Sequence, residues 1–225
     1  FHGRTLGTLS VTKSKDVYTR HYPEISGIET VPFCADRGCD ARTCDCGFFT
    51  GNGSRLRSML APEGGHVDPE EIAFLTLEPI QGVGGYRFPS EAFMDEVAAV
   101  TDEYDIPLVV DEIQSGVGRT GELWAADHYA VEPDVIASAK ALRVGATISR
   151  SDVFPTEKNR LGSTFGGGDV LGSMMGAFTL EAIEEHDLLD NATRRGRQAT
   201  EILRDDAPAH VVDVRGKGLM LAVES

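Results

Sequence analysis

Lysine is scarce in this chain. Only five of the 21 basic residues are Lys (Lys13, Lys15, Lys140, Lys158 and Lys217), set against 36 acidic residues and a formal net charge of −15. That balance argues against nucleic acid and membrane surfaces as partners, because both are held by clustered Lys and Arg. It also matches the acidic, lysine-poor surfaces of proteins that work in concentrated salt, so stability is expected to rise with molar salt. No run of about 18 apolar residues occurs, so no membrane span is expected. The first residues, Phe1-His2-Gly3-Arg4-Thr5, lack the basic-then-apolar pattern of a secretory leader. They also lack an initiator Met, and the chain is expected to begin inside a longer, cytoplasmic protein.

Hydrophobic residues make up 41% of the 225 positions and are spread along the whole length. That is enough for one substantial domain and part of a second. The four cysteines, Cys34, Cys39, Cys44 and Cys46, crowd into one stretch. Their spacing, C-x4-C-x4-C-x-C, matches no common pattern of paired zinc knuckles. The expected reading is a variable surface loop in a reducing cytoplasm with no metal; a metal site is the minor alternative.

The first 70 or so positions show little periodicity and read as irregular. From Ile72 the pattern sharpens. Ala73 to Leu77 is a short apolar run stopped by Glu78-Pro79, as in a buried strand. Ser90 is placed to cap a helix on which Phe93, Val97, Val100 and Tyr104 share a face. Leu108 to Val110 reads as a second buried strand ending at Asp111, followed by a short helix around Trp124 to Tyr129. Val135 to Ser138 reads as a third, and Ala146 to Ile148 as a fourth. A single long helical segment is expected from the Gly166-Gly167-Gly168 run to about Arg204, then two strands at 211–214 and 219–223. Strand and helix alternating in this way predict an α/β fold with a mostly parallel sheet and helices on both faces.

Ligands of such sheets sit beyond the carboxyl ends of the strands. Those ends carry Glu78, Asp111 and Lys140. A carboxylate and a lone lysine at neighbouring strand ends suit pyridoxal phosphate: the amine condenses with the cofactor aldehyde, and the carboxylate keeps the pyridine nitrogen protonated. Taken singly, Asp111 reads as a turn residue and Lys140 as a surface charge. A competing motif runs from Gly116 to Gly121 and fits G-x-G-x-x-G, with Asp134 downstream. Four residues separate it from Asp111 and no clear long helix follows it, so a dinucleotide site is not expected.

The stretches Glu78-Pro79-Ile80-Gln81-Gly82, Asp111 to Gly121, Ser138-Ala139-Lys140-Ala141-Leu142 and Ser163-Thr164-Phe165-Gly166-Gly167 resemble the class III aminotransferases in residue type and order. Phe1 to Thr5 and Arg215 to Met220 extend the resemblance over almost the whole chain. The resemblance implies a fold type I large domain over 1–207 and the start of a small α/β C-terminal domain over 208–225. It implies pyridoxal phosphate as cofactor, a Schiff base at Lys140, Asp111 on the pyridinium nitrogen and Gln114 on the ring hydroxyl oxygen. Phe1 and Ile113 would sandwich the ring. Thr164 would reach the phosphate of a partner subunit, making the protein a homodimer, and Arg4 would bind a substrate carboxylate. Glu78 is read as scaffolding, and His2 carries no role.

The implied activity is transfer of an amino group from an amino acid to a 2-oxo acid. The alternatives are an amino-acid racemase on the same scaffold or an inactive fragment. Two positions depart from the family pattern. Val83 stands where a gating Glu is frequent, and Arg143-Val144-Gly145-Ala146 shortens the glycine-rich stretch after the lysine. Against the family, an N-terminal segment, an upstream phosphate loop and most of the small domain are expected to be missing.

Overall fold

A computed structural model of the chain describes residues 1–35, 38, 39, 41, 44–51, 53–162 and 168–225. The described residues fall into two compact units. One is formed by Phe1–Ile72 with Ile80–Ile106, the other by Ala73–Pro79 with Pro107–Ser225.

The first unit opens with two short helices, α1 (Leu6–Val11) and α2 (Asp16–Thr19). Thr12 ties down the N-terminal loop. Its buried hydroxyl accepts from the His2 amide at 2.9 Å and lies within 2.9 Å of the Thr8 carbonyl. A two-stranded antiparallel ribbon, β1 (Phe49–Thr50) and β2 (Gly53–Ser54), leads into α3 (Arg55–Leu60). The early region is therefore more structured than its weak periodicity suggests, because its elements are too short to show a period.

The core of this unit forms on α4 (Glu91–Glu103). Ser90 caps it as expected, its Oγ accepting from the Phe93 amide at 3.2 Å. Phe93, Met94, Val97 and Val100 lie on its buried face, and Phe48 packs edge-on to Phe93 at 4.6 Å between ring centroids. Burying each such side chain contributes about 1.5–3 kcal/mol. The helix ends at Tyr104, beyond which Asp105 takes a left-handed φ of 52° and Pro107 forbids continuation. Arg57 on α3 ties to this helix through Glu96 (3.1 Å) and Glu103.

The second unit is built on a four-stranded sheet in the order β3 (Leu75–Leu77), β4 (Leu108–Asp111), β5 (Val135–Ser138) and β6 (Ala146–Ser149). The first three strands are parallel and β6 runs antiparallel to β5. The short β5–β6 connection explains the reversal: a parallel return needs a crossover of a dozen residues or more. Asp134 fixes the start of β5, its Oδ2 accepting from the Leu108 amide at 2.7 Å.

The expected single long helix is two helices, α5 (Val170–Glu185) and α6 (Leu188–Asp205). The break falls at Asp187, which adopts a left-handed φ of 50°. Acidic Glu184 and Glu185 occupy the last turn of α5, where the helix dipole disfavours negative charge. The chain ends in an antiparallel hairpin, β7 (Asp213–Lys217) and β8 (Met220–Glu224). Arg204 of α6 donates to the Val214 carbonyl through Nε and Nη2, holding the helix on the hairpin.

Candidate active site

The parallel register of β3, β4 and β5 brings their carboxyl ends to one edge. Leu77 pairs with Val110, and Asp111 with Ala137. Glu78, Asp111 and the Ser138-Ala139-Lys140 segment therefore follow neighbouring strands at the same edge. Asp111 is 8% exposed, and its Oδ1 accepts from the Ile113 amide at 3.1 Å. This pins the carboxylate at the strand end, where an unsupported buried charge would be costly. Glu78 is also buried.

Lys140 opens a single 3-10 turn, Lys140–Leu142, closed by Arg143 at a left-handed φ of 67°. Lys140 is exposed, Leu142 is buried, and the Arg143 amide donates to the Ala139 and Lys140 carbonyls. Helix α5 backs this turn. A Cβ at Gly176 would come 3.0 Å from the Leu142 carbonyl oxygen, so the helix approaches as closely as it does because that position is glycine. Two residues before the lysine, Ser138 is 2% exposed, and its Oγ has no hydrogen-bond partner among the described residues. A buried hydroxyl left unpaired costs about 1–3 kcal/mol.

The turn after β4 carries Ile113 and Gln114, both half-buried. It is held by a residue to which sequence reasoning gave no role. Glu112 is 1% exposed and bonded on both oxygens, to the Ser115 hydroxyl at 2.6 Å and the Ala126 amide at 2.8 Å. Burial pushes its carboxyl above the usual range, while the hydroxyl and the amides of Ala126 and Ala125 pull it back. The clue in the sequence was its place directly after the strand-end Asp111, but the amide donor it accepts from, fourteen positions on, is a tertiary feature.

The glycine-rich motif that follows serves packing. A Cβ at Gly116 would meet the Trp124 ring at 2.9 Å, one at Gly121 would overlap the Thr193 hydroxyl at 2.1 Å, and one at Gly218 would lie 2.4 Å from the Thr120 carbonyl carbon. The loop is thus clamped between α6 and the β7–β8 turn, with the Leu219 amide donating to the Arg119 carbonyl. His128 lies 3.0 Å from the Thr120 hydroxyl, and burial, followed by the nearby Lys217 charge, lowers its basicity.

Phe1 and Arg4 belong to the first unit, where both sit against Tyr18. The Phe1 ring is edge-on to it at 5.3 Å, and the Arg4 guanidinium lies 4.6 Å above its centroid. Val83 lies in the turn between Gln81 and Arg87, whose backbones bond to each other. Thr164 falls outside the described residues.

A parallel sheet whose strand ends present a buried carboxylate and an accessible lysine suits pyridoxal phosphate. The residues fit that cofactor in kind: a fixed acid for a ring nitrogen, a reachable amine for an aldehyde, and a buried hydroxyl beside the lysine with capacity for one more hydrogen bond. The family profile of aminotransferase class III matches residues 1–225, and the chain belongs to that family. It is 35% identical over 229 residues to acetylornithine aminotransferase of Methanopyrus kandleri, covering 100% of this chain and 52% of that protein. It is 36% identical to the Synechocystis acetylornithine aminotransferase, covering 100% of this chain and 49% of that one. The chain thus spans about half the length of the curated relatives it matches.

Among solved structures, it superposes on ornithine aminotransferase from Toxoplasma gondii with a TM-score of 0.79 at 30% identity, over 99% of this chain and 49% of that one. That crystal structure holds pyridoxal phosphate at partial occupancy in its active site. Lysine aminotransferase from M. tuberculosis in its internal aldimine form matches with a TM-score of 0.79 at 34% identity, over 99% and 52% of the two chains.

Proposed function

We propose that the protein containing this chain moves an amino group from an amino acid, at an ω- or α-amino position, to a 2-oxo acid, using pyridoxal phosphate anchored on Lys140. One observation carries the reading: the parallel β4–β5 register sets Asp111 and the lysine turn at the same sheet edge. When bound, the cofactor supplies an electron sink for the pair left as the substrate Cα–H bond breaks. In this reading the Asp111 carboxylate, held by the Ile113 amide, keeps a proton on the ring nitrogen. The exposed Lys140 amine would anchor the cofactor aldehyde and would take and return the proton at the substrate Cα. Gln114 would donate to the ring hydroxyl oxygen, and Ile113 would pack on one ring face. The roles of Phe1 on the other face, Arg4 on a substrate carboxylate and Thr164 on a partner's phosphate rest on the family resemblance alone.

The proposed assembly is a cytoplasmic homodimer. Val170, Leu171, Met174, Met175 and Phe178 form one exposed apolar face of α5, each 48–73% exposed. A contiguous patch of this kind is covered by a partner chain or by further parts of the same protein, and the homodimer reading takes the first. Among the described residues, no helix is long and apolar enough to cross a membrane.

The test is Lys140→Ala in the full-length parent. Half-transamination of amino acids should be lost while the folded protein still takes up cofactor reversibly. Retained turnover would overturn the assignment, as would racemisation of a single enantiomer by the parent with no oxo acid present.

A further inference from the structure

The cysteine-rich loop of the first unit plays no part in the sheet-edge chemistry, yet its geometry is specific. The four sulfurs of Cys34, Cys39, Cys44 and Cys46 all lie within 4.8 Å of one another. Cys39 and Cys44 are paired as a disulfide, and Cys34 and Cys46 stand outside it. A disulfide needs only its own two sulfurs to meet. It does not require Cys34 to place its Sγ 3.4 Å from that of Cys44, ten positions away, or Cys46 to join the same cluster. A tetrahedral ion with sulfurs about 2.3 Å away holds those sulfurs about 3.8 Å apart, within the spread seen here.

The surroundings are also those of ligated thiolates. The Ser90 hydroxyl donates to Cys34 Sγ at 3.4 Å, and the Phe48 amide donates to Cys46 Sγ at 3.4 Å. Donors aimed at sulfur stabilise its negative form and orient it toward a metal. Both ends of the loop are anchored on one side chain. Phe33, just before Cys34, and Phe48, two residues after Cys46, pack on Phe93 at 5.0 and 4.6 Å. Cys34 itself is fully buried, with its carbonyl accepting from the Ser90 amide at 3.0 Å.

We propose that in the reduced protein these four cysteines bind one zinc ion as a closed tetrathiolate site beside the N-terminal end of α4. Four thiols displace solvent from Zn2+ and release four protons, leaving a complex with net charge −2. No coordination position is left open, so the site is structural and takes no substrate. Where the Cys39–Cys44 disulfide is present, a small dithiol must first reduce it. The disulfide accepts two electrons and two protons, and the reagent leaves as its own disulfide. The same sulfurs therefore have two alternative states, an oxidised pair and a metal-bound quartet.

The decisive experiment uses the intact protein, reduced with dithiol under anaerobic conditions, freed of dithiol and titrated with Co2+ and then Zn2+. One equivalent of cobalt should produce visible bands of tetrahedral intensity with thiolate charge-transfer absorption, and one equivalent of zinc should abolish them. Zinc loading should shield all four thiols from a disulfide-exchange reagent. Cys46→Ser should lose the tetrathiolate spectrum. Ser90→Thr, which keeps the hydroxyl, should retain it, and Ser90→Ala should weaken zinc binding about tenfold. Circular dichroism on each variant separates loss of the site from loss of the fold. Four thiols that stay reactive with zinc present in the folded protein would overturn the proposal, and so would a cobalt spectrum unchanged by Cys46→Ser.

Discussion

Replacing Glu112 by Ala should destabilise the protein far more than replacing it by Gln. The carboxylate accepts from the Ser115 hydroxyl (2.6 Å) and the Ala126 amide (2.8 Å) at a position 1% exposed. Alanine leaves the buried amide orphaned, at about 1–3 kcal/mol. It also leaves a cavity the size of the lost carboxyl and methylene, adding about 1 kcal/mol. A total near 3 kcal/mol follows, since the Ser115 hydroxyl can turn to another acceptor. Glutamine keeps an oxygen for the amide and offers Nε2 to the Ser115 oxygen. The pH dependence gives a second readout. Burial raises the Glu112 pKa in the native state, so the native state holds this proton more tightly than the unfolded chain. Its contribution is then fully present below the unfolded value of about 4.3 and is lost as pH rises through the folded value. The Gln variant should therefore gain on the wild type in urea-unfolding midpoints as pH rises above the unfolded value. Equal destabilisation by Ala and Gln would refute this reasoning, as would a Gln variant that falls further behind the wild type as pH rises.

Gly176→Val should push α5 away from the Leu142 carbonyl, 3.0 Å from where a Cβ would lie, and disturb the lysine turn by about 1–3 kcal/mol. Cofactor retention on gel filtration should fall while far-ultraviolet circular dichroism stays near wild type. Burial lowers the His128 pKa, so its contribution is full above about pH 6.5 and is lost as pH falls through the folded value. His128→Gln should flatten the fall in melting temperature over that acidic window. Arg57→Met removes the bonds to Glu96 and Glu103 and leaves two acids facing each other. It should cost about 1 kcal/mol at low salt and less in molar KCl, measured by urea unfolding. With a net charge of −15, the wild type should itself gain stability over the same salt series.

The second unit was largely legible in the sequence because its signals are local. Short apolar runs ending in Glu78, Asp111 and Ser138 marked three strands, whose register brings those residues to one edge. The Ser90 cap and the spacing of Phe93, Val97 and Val100 announced α4. What escaped was whatever depends on distant partners. Asp187 breaks the expected long helix through a backbone conformation that its residue type allows but does not demand. The Gly116–Gly121 motif was not expected to bind a dinucleotide, but nothing local showed that Gly118 and Gly121 would pack on Leu189 and Thr193, about 70 positions away. Glu112 was overshadowed by Asp111, since nothing local says that it will reach Ala126. The cysteine spacing fits no familiar zinc knuckle, yet the fold gathers all four sulfurs.

The central claim is that Lys140 anchors pyridoxal phosphate. The most direct test is to incubate the full-length parent with the cofactor, reduce it with borohydride, and map the modified residue by peptide mass spectrometry. The account predicts a near-visible absorption band that borohydride irreversibly removes, with a stable pyridoxyl adduct on Lys140. A folded parent that shows no such band, or an adduct on any other lysine, would contradict it.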